Sequence, residues 1–248
     1  MKAMILAAGF GTRLRPLTDV TPKPLLPVAG TPMIVWNLLL LKQHGFEEVV
    51  INLHHLGGMI RQALGDGAGF GMQITYSHEP LILDTGGGIK QVESYFQGEP
   101  VLVLNGDTLF ELDLTALIAC HRAQQAAATL VLRRDAEAAR WGMVEVTEEA
   151  EVIRITGRGR SVPTPTAARM FAGIHILHPR LLHALPVGRA SSIIDAYVQG
   201  IQEGERIMGY DFNGYWTDVG TPDRYAQVER DAAAGLLSLS ARKANPPA

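Results

Sequence analysis

The sequence predicts an α/β fold with a mostly parallel mixed sheet, helices on both of its faces and a small antiparallel extension. Over the first 135 residues, short apolar runs typical of buried strands alternate with segments of helical periodicity. This alternation indicates βαβ units, whose strands run parallel to one another. Beyond residue 135, short strands follow one another with little helix between them, and this change indicates the antiparallel or mixed extension.

The elements can be placed in order along the chain. Residues 2–8 form the first buried strand. Thr31 and Pro32 suit the N-cap and first position of a helix that ends at Gly45. The other predicted strands are 47–53, 72–78, 100–107, 127–134, 142–146, 151–156 and 171–177. The other predicted helices are 59–67, 85–98, 113–126, 193–204 and 222–237.

Length, charge and cysteine content limit the possible functions. The 248 residues, 47% of them hydrophobic, suit one domain over residues 1–236 with a flexible tail at 237–248. A formal net charge of −3 excludes a general basic field for nucleic acid, so any anion site has to be local. The single cysteine, Cys120, cannot form an internal disulfide. The apolar segments MILAAG and MIVWNLLLL are too short for a signal-peptide core and a membrane span, respectively, which predicts a cytoplasmic protein without a membrane partner.

The stretch AAGFGTRLRP, directly after the first strand, is the first candidate for ligand binding. Gly9 and Gly11 allow backbone N–H groups to approach an anion closely, as in phosphate-binding turns. The dinucleotide pattern G-x-G-x-x-G fails at Leu14, and the Walker string G-x-x-x-x-G-K-[ST] does not occur in the sequence. Two interpretations remain: a longer anion loop to which Arg13, Arg15 and Lys23 bring the positive charge, or a tight turn with solvated arginines.

Five motifs together resemble the signature of the sugar-1-phosphate nucleotidyltransferases. In chain order they are GFGTRLRPLT with PKPLLPV, LDTGGGI, NGD, FAGIHILHP and YWTDVGTPDRY. Members of this family join a nucleoside triphosphate to a sugar 1-phosphate on a Rossmann-like sheet and release pyrophosphate. Within the family, the LDTGGGI segment and the short length are most similar to the muramic acid 1-phosphate uridylyltransferases. The resemblance therefore implies UTP and N-acetylmuramic acid 1-phosphate as substrates and Mg²⁺ as cofactor.

This reaction needs positioning and charge stabilisation rather than proton transfer. The attacking sugar-phosphate oxygen is already an anion at neutral pH, so no general base is required. Lys23, between Pro22 and Pro24, is presented from a stiff backbone and is the predicted catalytic residue, together with Arg13 as a fork onto the triphosphate. The nucleotide-binding residues predicted in this first loop are Ala8, Gly9, Gly11, Thr12 and Arg13.

The resemblance also implies a pair of metal ligands, Asp107 and Asp218. Asp107 follows Asn105 at the end of the strongest buried-strand signal, and both residues are predicted to contact the nucleotide. Magnesium takes one or two carboxylates and completes its shell with phosphates and water. The alternative for Asp107 alone is a residue that caps a loop or forms a turn.

The resemblance places two further groups of residues around the substrates. Thr85, Gly86 and Gly87 would lie beside the base, although Thr85 also has the residue type of a helix cap. The sugar-binding residues implied are Gly142, Glu145 and Gly173. Residues 1–135 would then form the nucleotide-binding half and residues 136–236 the sugar-binding half.

One segment departs from the family pattern. Many relatives have Glu-Lys-Pro after the strand near residue 155, whereas this chain has RITGRGRSVPTPTAAR. The loop at 157–170 contains Arg158, Arg160 and Arg169. It is interpreted as a solvated surface loop or, alternatively, as a basic lid over an anionic acceptor.

Other functions have less support in the sequence. A glycosyltransferase would normally show Asp-x-Asp at the strand end, where this chain has Asp107-Thr108-Leu109. A sensor of nucleotide sugars without catalysis is expected to lack Lys23 or one metal aspartate, and this chain has all three. A mannose- or heptose-1-phosphate guanylyltransferase is the alternative within the class, and the protein is expected to be a monomer or small homo-oligomer.

Overall fold

The computed structural model describes residues 1–135, 142–161 and 166–237, which form two compact units. The N-terminal unit combines residues 2–82, residues 104–112 and the described residues from Gly214 onward. The central unit combines Met1 with residues 83–103 and 113–213. The two units interleave along the chain. The predicted division into a nucleotide-binding and a sugar-binding half at residue 135 concerns ligands and stays a prediction.

The elements follow the predicted order closely. In chain order the strands are β1 (Lys2–Leu6), β2 (Pro27–Val28), β3 (Thr31–Pro32), β4 (Glu48–Leu53), β5 (Gln73–His78), β6 (Val101–Asn105), β7 (Thr108–Phe110), β8 (Ala128–Arg133), β9 (Met143–Val146), β10 (Val152–Ile155), β11 (Arg158–Gly159), β12 (Ala167–Leu177), β13 (Ile207–Asp211) and β14 (Trp216–Asp218). The α-helices are α1 (Leu17–Val20), α2 (Met33–Gln43), α3 (Gly57–Leu64), α4 (Asp84–Gln91), α5 (Leu114–Gln124), α6 (Ile193–Glu203) and α7 (Pro222–Ala233). Among these helices, none has the length and apolarity needed to cross a bilayer.

The N-terminal unit contains the parallel strands β1, β4 and β5, in the order β1-β4-β5. Strands β1 and β4 are mostly apolar and buried, as expected for parallel strands, whereas β5 at the end of this order is more polar and is exposed at both of its terminal residues. A second cluster of buried residues surrounds the indole of Trp36, whose Nε1–H donates to the carbonyl of Val28 over 3.2 Å. Leu237 belongs to this cluster, so the first residue of the predicted tail packs in the core; the rest of the tail lies outside the described residues.

The central unit contains the predicted antiparallel part of the sheet. Strands β11, β10, β9, β12 and β8 pair antiparallel in that order, and β13 joins β8 in parallel. Helix α6 presents an apolar face, and the side chain of Ser192 caps it by accepting the N–H of Ile194 over 3.2 Å. Parallel and antiparallel ladders thus occur together, and the predicted mixed α/β fold class is confirmed.

The predicted start of the helix after residue 30 was wrong in one detail. Thr31 and Pro32 were expected at the N-cap and first helical position, but they form β3, which pairs with β2. Ala29 and Gly30 both have positive φ angles, of 49° and 75°, and form the hairpin turn between these two strands. The backbone of Thr31 is therefore used in a strand pair, and α2 begins at Met33.

Candidate active site

The structure brings Lys23, Asp107 and Asp218 together in the N-terminal unit. The ammonium of Lys23 forms an ion pair with the carboxylate of Asp107, and its Nζ lies 3.9 Å from Oδ1 of Asp218. Lys23 is only 7% exposed, which is unusual for a lysine and reflects these two anionic partners. Its backbone lies in a short 3-10 helix, Lys23–Leu25, that begins after the extended Pro22. The predicted presentation of this side chain from a proline-restricted segment therefore agrees with the geometry.

The two aspartates are positioned by short strands and one close backbone contact. Gly106 donates its N–H to the carbonyl of Leu6 over 2.9 Å, and a Cβ at this glycine would lie 2.8 Å from the same oxygen. Only glycine therefore fits between β6 and Asp107. Asp218 ends β14, where it lies opposite Thr108 of β7, and the N–H of the following Val219 donates to the carbonyl of Asp107 over 3.0 Å.

The environment of Asp218 disfavours its charge. Burial, and secondarily the charge of Asp107, raise the pKa of the Asp218 carboxyl, whereas Lys23, Arg224 and Arg13 act in the opposite direction. Its Oδ2 lies 3.4 Å from Nη1 of Arg224, but its Oδ1 is buried and has no hydrogen-bond partner among the described residues. A cation or an ordered water can satisfy such a buried oxygen.

A divalent cation fits this donor set. Within the described ranges, no cluster of three or more histidine, cysteine or acidic side chains could enclose a metal ion by itself. The site nevertheless offers two carboxylates, both near the ammonium of one lysine. Mg²⁺ commonly binds to one or two carboxylates when substrate phosphates supply further oxygens. The orphaned Oδ1 of Asp218 supports the same conclusion, so Asp107 and Asp218 are the residues that would hold the ion.

The glycine loop lies beside Lys23, and its two glycines have different tasks. Gly11 has a positive φ of 64°, and a Cβ there would meet Cγ2 of Thr18 at 2.9 Å and Cβ of Lys23 at 3.1 Å. Gly9 is exposed, and a Cβ there would have no atom of the described part of the chain within 4 Å. Gly11 is thus required by the fold of the loop, whereas the backbone of Gly9 is open to a ligand. Ala8 is buried just before it, and Thr12 is exposed.

Arg13 and Asp218 both lie close to Gly220, a residue that was not predicted to belong to the site. A Cβ at Gly220 would lie 2.7 Å from Oδ1 of Asp218 and 2.9 Å from Nη2 of Arg13. The absence of a side chain at Gly220 therefore leaves space for the Arg13 guanidinium next to Asp218. Arg224 was also missed. Gly220 and Arg224 both lie in the string TDVGTPDR, shortly after Asp218. Their position in this motif is the sequence feature by which they could have been predicted.

The residues predicted to read the base belong to the central unit and have structural contacts there. Thr85 does not cap its own helix: it lies inside α4, and its Oγ1 accepts the N–H of Ile193 over 3.0 Å at the start of α6. Gly86 and Gly87 donate their N–H groups to the carbonyl of Ser191, over 2.8 and 3.1 Å. A Cβ at Gly86 would lie 2.7 Å from the backbone carbon of Ser192. Close packing thus explains these glycines, and base recognition by this segment stays a prediction.

The predicted sugar-binding residues also lie in the central unit. Glu145 on β9 forms an ion pair with Arg154 on β10, from Oε2 to Nη2 over 3.1 Å, so it is not simply an exposed strand residue. Gly142 and Gly173 have positive φ angles of 95° and 75°. Gly173 lies where the β12–β8 register shifts, a position at which glycine suits a bulge. Contacts of these residues with a sugar stay predictions, as does a nucleotide contact of Asn105, whose carbonyl lies 3.5 Å from Nδ2 of Asn37.

The arginines of the 157–170 loop all have carboxylate partners. The pairs are Arg158 with Asp195 at 2.9 Å, Arg160 with Glu151 at 2.6 Å, and Arg169 with both oxygens of Asp211 at 2.8 and 3.1 Å. Residues 162–165 of this loop lie outside the described residues. Arg158 and Arg169 lie in strands β11 and β12, and the Arg169 side chain is only 12% exposed, so the prediction of a solvated loop was wrong at these two positions. Because each charge is already paired within the central unit, the arrangement also disfavours a basic lid.

The chain is similar to known proteins over nearly its whole length. The model of the nucleotidyl transferase family matches residues 2–235. The N-acetylmuramate alpha-1-phosphate uridylyltransferase of Neisseria meningitidis serogroup B is 39% identical, over 94% of this chain and 99% of the relative. The mannose-1-phosphate guanylyltransferase of Mycobacterium tuberculosis is 33% identical, over 94% of this chain and 65% of the relative.

A solved structure shows the same fold. This structure, from Bacillus anthracis and assigned as a glucose-1-phosphate thymidylyltransferase, superimposes with a TM-score of 0.81 and 25% identity, over 99% of this chain and 96% of the other. The family model, the relatives and this likeness extend over nearly all of the chain, including the segments that carry Lys23, Asp107 and Asp218. The chain belongs to the nucleotidyl transferase family.

Proposed function

We propose that this protein transfers a nucleotidyl group from UTP to N-acetylmuramic acid 1-phosphate, giving a nucleotide sugar and pyrophosphate. The observation that carries the proposal is the buried Lys23 between Asp107 and Asp218, with the glycine loop beside it. A cation and two carboxylates at one point suit a reaction between two phosphate-bearing substrates. In such a reaction no side chain has to remove a proton, because the attacking phosphate oxygen is already an anion.

Each charged group has a separate task in this reaction. The Lys23 ammonium holds a phosphate oxygen at the reacting α-phosphorus and offsets the negative charge that develops there. The Arg13 guanidinium binds the triphosphate, and the open backbone at Gly9 lets N–H groups reach the pyrophosphate that leaves. Asp107 and Asp218 would hold Mg²⁺, which would neutralise phosphate charge when bound. The acceptor phosphate attacks as an anion, so the chain needs only to align it.

The identity of the acceptor and of the base rests on the relatives. The Neisseria uridylyltransferase matches along almost its whole length, whereas the chain spans about two thirds of the Mycobacterium guanylyltransferase. This difference favours UTP with N-acetylmuramic acid 1-phosphate. A mannose- or heptose-1-phosphate guanylyltransferase is the second candidate. A binding protein without catalysis is disfavoured, because Lys23, Asp107 and Asp218 all lie together. A cytoplasmic monomer or small homo-oligomer accords with this function.

A matrix of substrates tests the proposal. Pyrophosphate release is measured with Mg²⁺ for UTP, GTP, dTTP, ATP and CTP, each with the 1-phosphates of N-acetylmuramic acid, N-acetylglucosamine, glucose, mannose and heptose. We expect the highest kcat/KM for UTP with N-acetylmuramic acid 1-phosphate. An Asp107→Ala variant serves as the inactive control. A preference for GTP with mannose or heptose 1-phosphate would select the second candidate, and no release in any well would overturn nucleotidyl transfer.

A further inference from the structure

A buried chain of hydrogen bonds ends at the first residue of the glycine loop. The Nδ2 of Asn52 donates to Oε1 of Glu79 over 2.7 Å, and the N–H of Ala7 donates to Oδ1 of Asn52 over 2.7 Å. Glu79 is 0% exposed and Asn52 is 3% exposed. A carboxylate buried to this degree is costly unless it is hydrogen-bonded. These two hydrogen bonds therefore connect β4, the end of β5 and the glycine loop within the N-terminal unit, and they satisfy the buried polar groups there.

The register of the strands explains why Asn52 reaches Ala7. Asn52 lies opposite Leu6, the last residue of β1, so Ala7 is the first residue beyond the ladder. The Asn52 side chain therefore takes over the role of a strand partner for the Ala7 N–H. Glu79 is itself fixed by its backbone, since its N–H donates to the carbonyl of Leu53 over 2.8 Å. Because the carboxylate accepts from Nδ2, the amide oxygen of Asn52 must face Ala7.

The residues after Asn52 hold the other side of the loop. The ring of Phe10 lies edge-on to His54, with ring centroids 5.2 Å apart, and 5.6 Å from the ring of His55. His55 Nε2 is 3.0 Å from the carbonyl of Thr18, whose hydroxyl donates to the carbonyl of Gly11 over 2.9 Å. The loop is thus held before and after Gly9, which itself stays open.

We propose that Asn52, oriented by Glu79, is a positioning residue for the nucleotide: it fixes the backbone of the glycine loop against which the triphosphate binds. The inference rests on the proposed nucleotidyl transfer. Backbone N–H groups stabilise an anion well only when they are preorganised, since a mobile loop has to be ordered at each binding event. Neither residue is placed to contact the reacting atoms, so their effect passes through Ala7 and the loop.

A pair of reciprocal substitutions tests this role. Asn52→Asp places a second carboxylate against Glu79, whereas Glu79→Gln keeps an acceptor for Asn52. Combining the two reverses the direction of the inner hydrogen bond and keeps an acceptor for Ala7 and the net charge. We expect Asn52→Asp to raise the KM for UTP about tenfold, as for a perturbed buried hydrogen bond. The KM for the sugar 1-phosphate should not change, and the double variant should return to within about threefold of the wild type.

Hydrogen exchange of the loop amides supplies a readout that does not depend on turnover. Residues 7–14 should exchange faster in Asn52→Asp than in the wild type, and the double variant should restore protection. Unchanged loop exchange in a folded Asn52→Asp protein would overturn the proposal, as would faster exchange with an unchanged KM for UTP. Loss of active fraction with both KM values unchanged would mean a merely structural role. A wild type without turnover would overturn the proposed function alone, and exchange would still decide whether Asn52 holds the loop.

Discussion

Lys23 and Asp218 lie 3.9 Å apart, from Nζ to Oδ1, and that oxygen of Asp218 is buried without a hydrogen bond to any described residue. The same ammonium is in closer contact with Asp107. Lys23 thus faces two carboxylates and pairs mainly with that of Asp107. The Oδ1 of Asp218 is therefore available as a metal ligand at the point where the metal ion and a substrate phosphate are proposed to bind.

Lys23→Ala should lower kcat with little change in either KM, because the lost charge acts mainly on the transition state. The expected loss is about 2–4 kcal/mol of transition-state stabilisation, as for removal of one preorganised electrostatic donor. Steady-state kinetics measure it. Lys42→Ala is the matched control, since Lys42 is a surface lysine whose Nζ donates to the carbonyl of Gly71 over 2.6 Å. An unchanged kcat with a raised KM would reassign Lys23 to binding.

Asp218→Asn should abolish activity and yet raise the Tm in EDTA at pH 7. Burial raises the pKa of Asp218, so its contribution to stability is present at acid pH and is lost as the pH rises through the folded-state value. The ionised carboxylate therefore destabilises the fold at neutral pH, and the neutral amide removes this penalty. Asp107→Asn, which breaks the ion pair with Lys23, should instead lower the Tm. A lower Tm for Asp218→Asn would contradict this account.

Removal of the metal gives a further test of the aspartate pair. EDTA should stop pyrophosphate release, and added Mg²⁺ should restore it. Mg²⁺ should also raise the Tm of the wild type through binding to the folded state, but not that of Asp218→Asn. Thermal unfolding with and without Mg²⁺ measures this difference. Full turnover in EDTA would exclude Asp107 and Asp218 as ligands of an essential metal.

Gly9→Ala should raise the KM for UTP without lowering the Tm. A methyl group at Gly9 has no atom of the described residues within 4 Å, so it has room in the folded protein and would act on a ligand bound at the loop. Gly58→Ala is the matched control, since Gly58 in α3 has equally open space. That control should leave both KM values unchanged and stabilise the protein by roughly 0.5–1 kcal/mol through helix propensity. Equal KM values for Gly9→Ala and the wild type would remove Gly9 from the nucleotide site.

The sequence was most informative where residues stand in recognisable strings. Lys23 in PKP, Asp107 in NGD and Asp218 in TDVG were predicted as one functional group, and the structure places them within one unit. The Asn52–Glu79 contact was not predictable, because it depends on the register between β4 and β5 and on side-chain orientation. Short strands such as β13 and β14 were missed for a related reason. Their pairing with β8 and β7, which are distant in the sequence, determines these strands.

Replacing Arg158, Arg160 and Arg169 together by Gln should leave the preference between N-acetylmuramic acid and N-acetylglucosamine 1-phosphates unchanged within about twofold. Sequence alone allowed a basic lid that favours the acceptor with a carboxylate by about tenfold. In the structure each of these guanidinium groups is paired with a carboxylate, Arg169 with both oxygens of Asp211. The measurement is the ratio of the two kcat/KM values. A fall in kcat/KM for N-acetylmuramic acid 1-phosphate alone would support the interpretation of this segment as a basic lid.

His175→Gln should make stability less sensitive to acid. Burial lowers the pKa of His175 to about 3, so the folded protein keeps this ring neutral while the unfolded chain takes up a proton below pH 6.5. Stability from this group is therefore complete above pH 6.5 and falls by about 1.4 kcal/mol per pH unit between 6.5 and 3. Urea unfolding at pH 6, 5 and 4 should show this slope reduced in His175→Gln. Its starting stability should be lower, because the ring loses its contacts with Tyr197 and Phe171. His183→Gln, at an exposed ring, should not flatten the slope, and equal slopes for His175→Gln and the wild type would mean that another buried group governs acid unfolding.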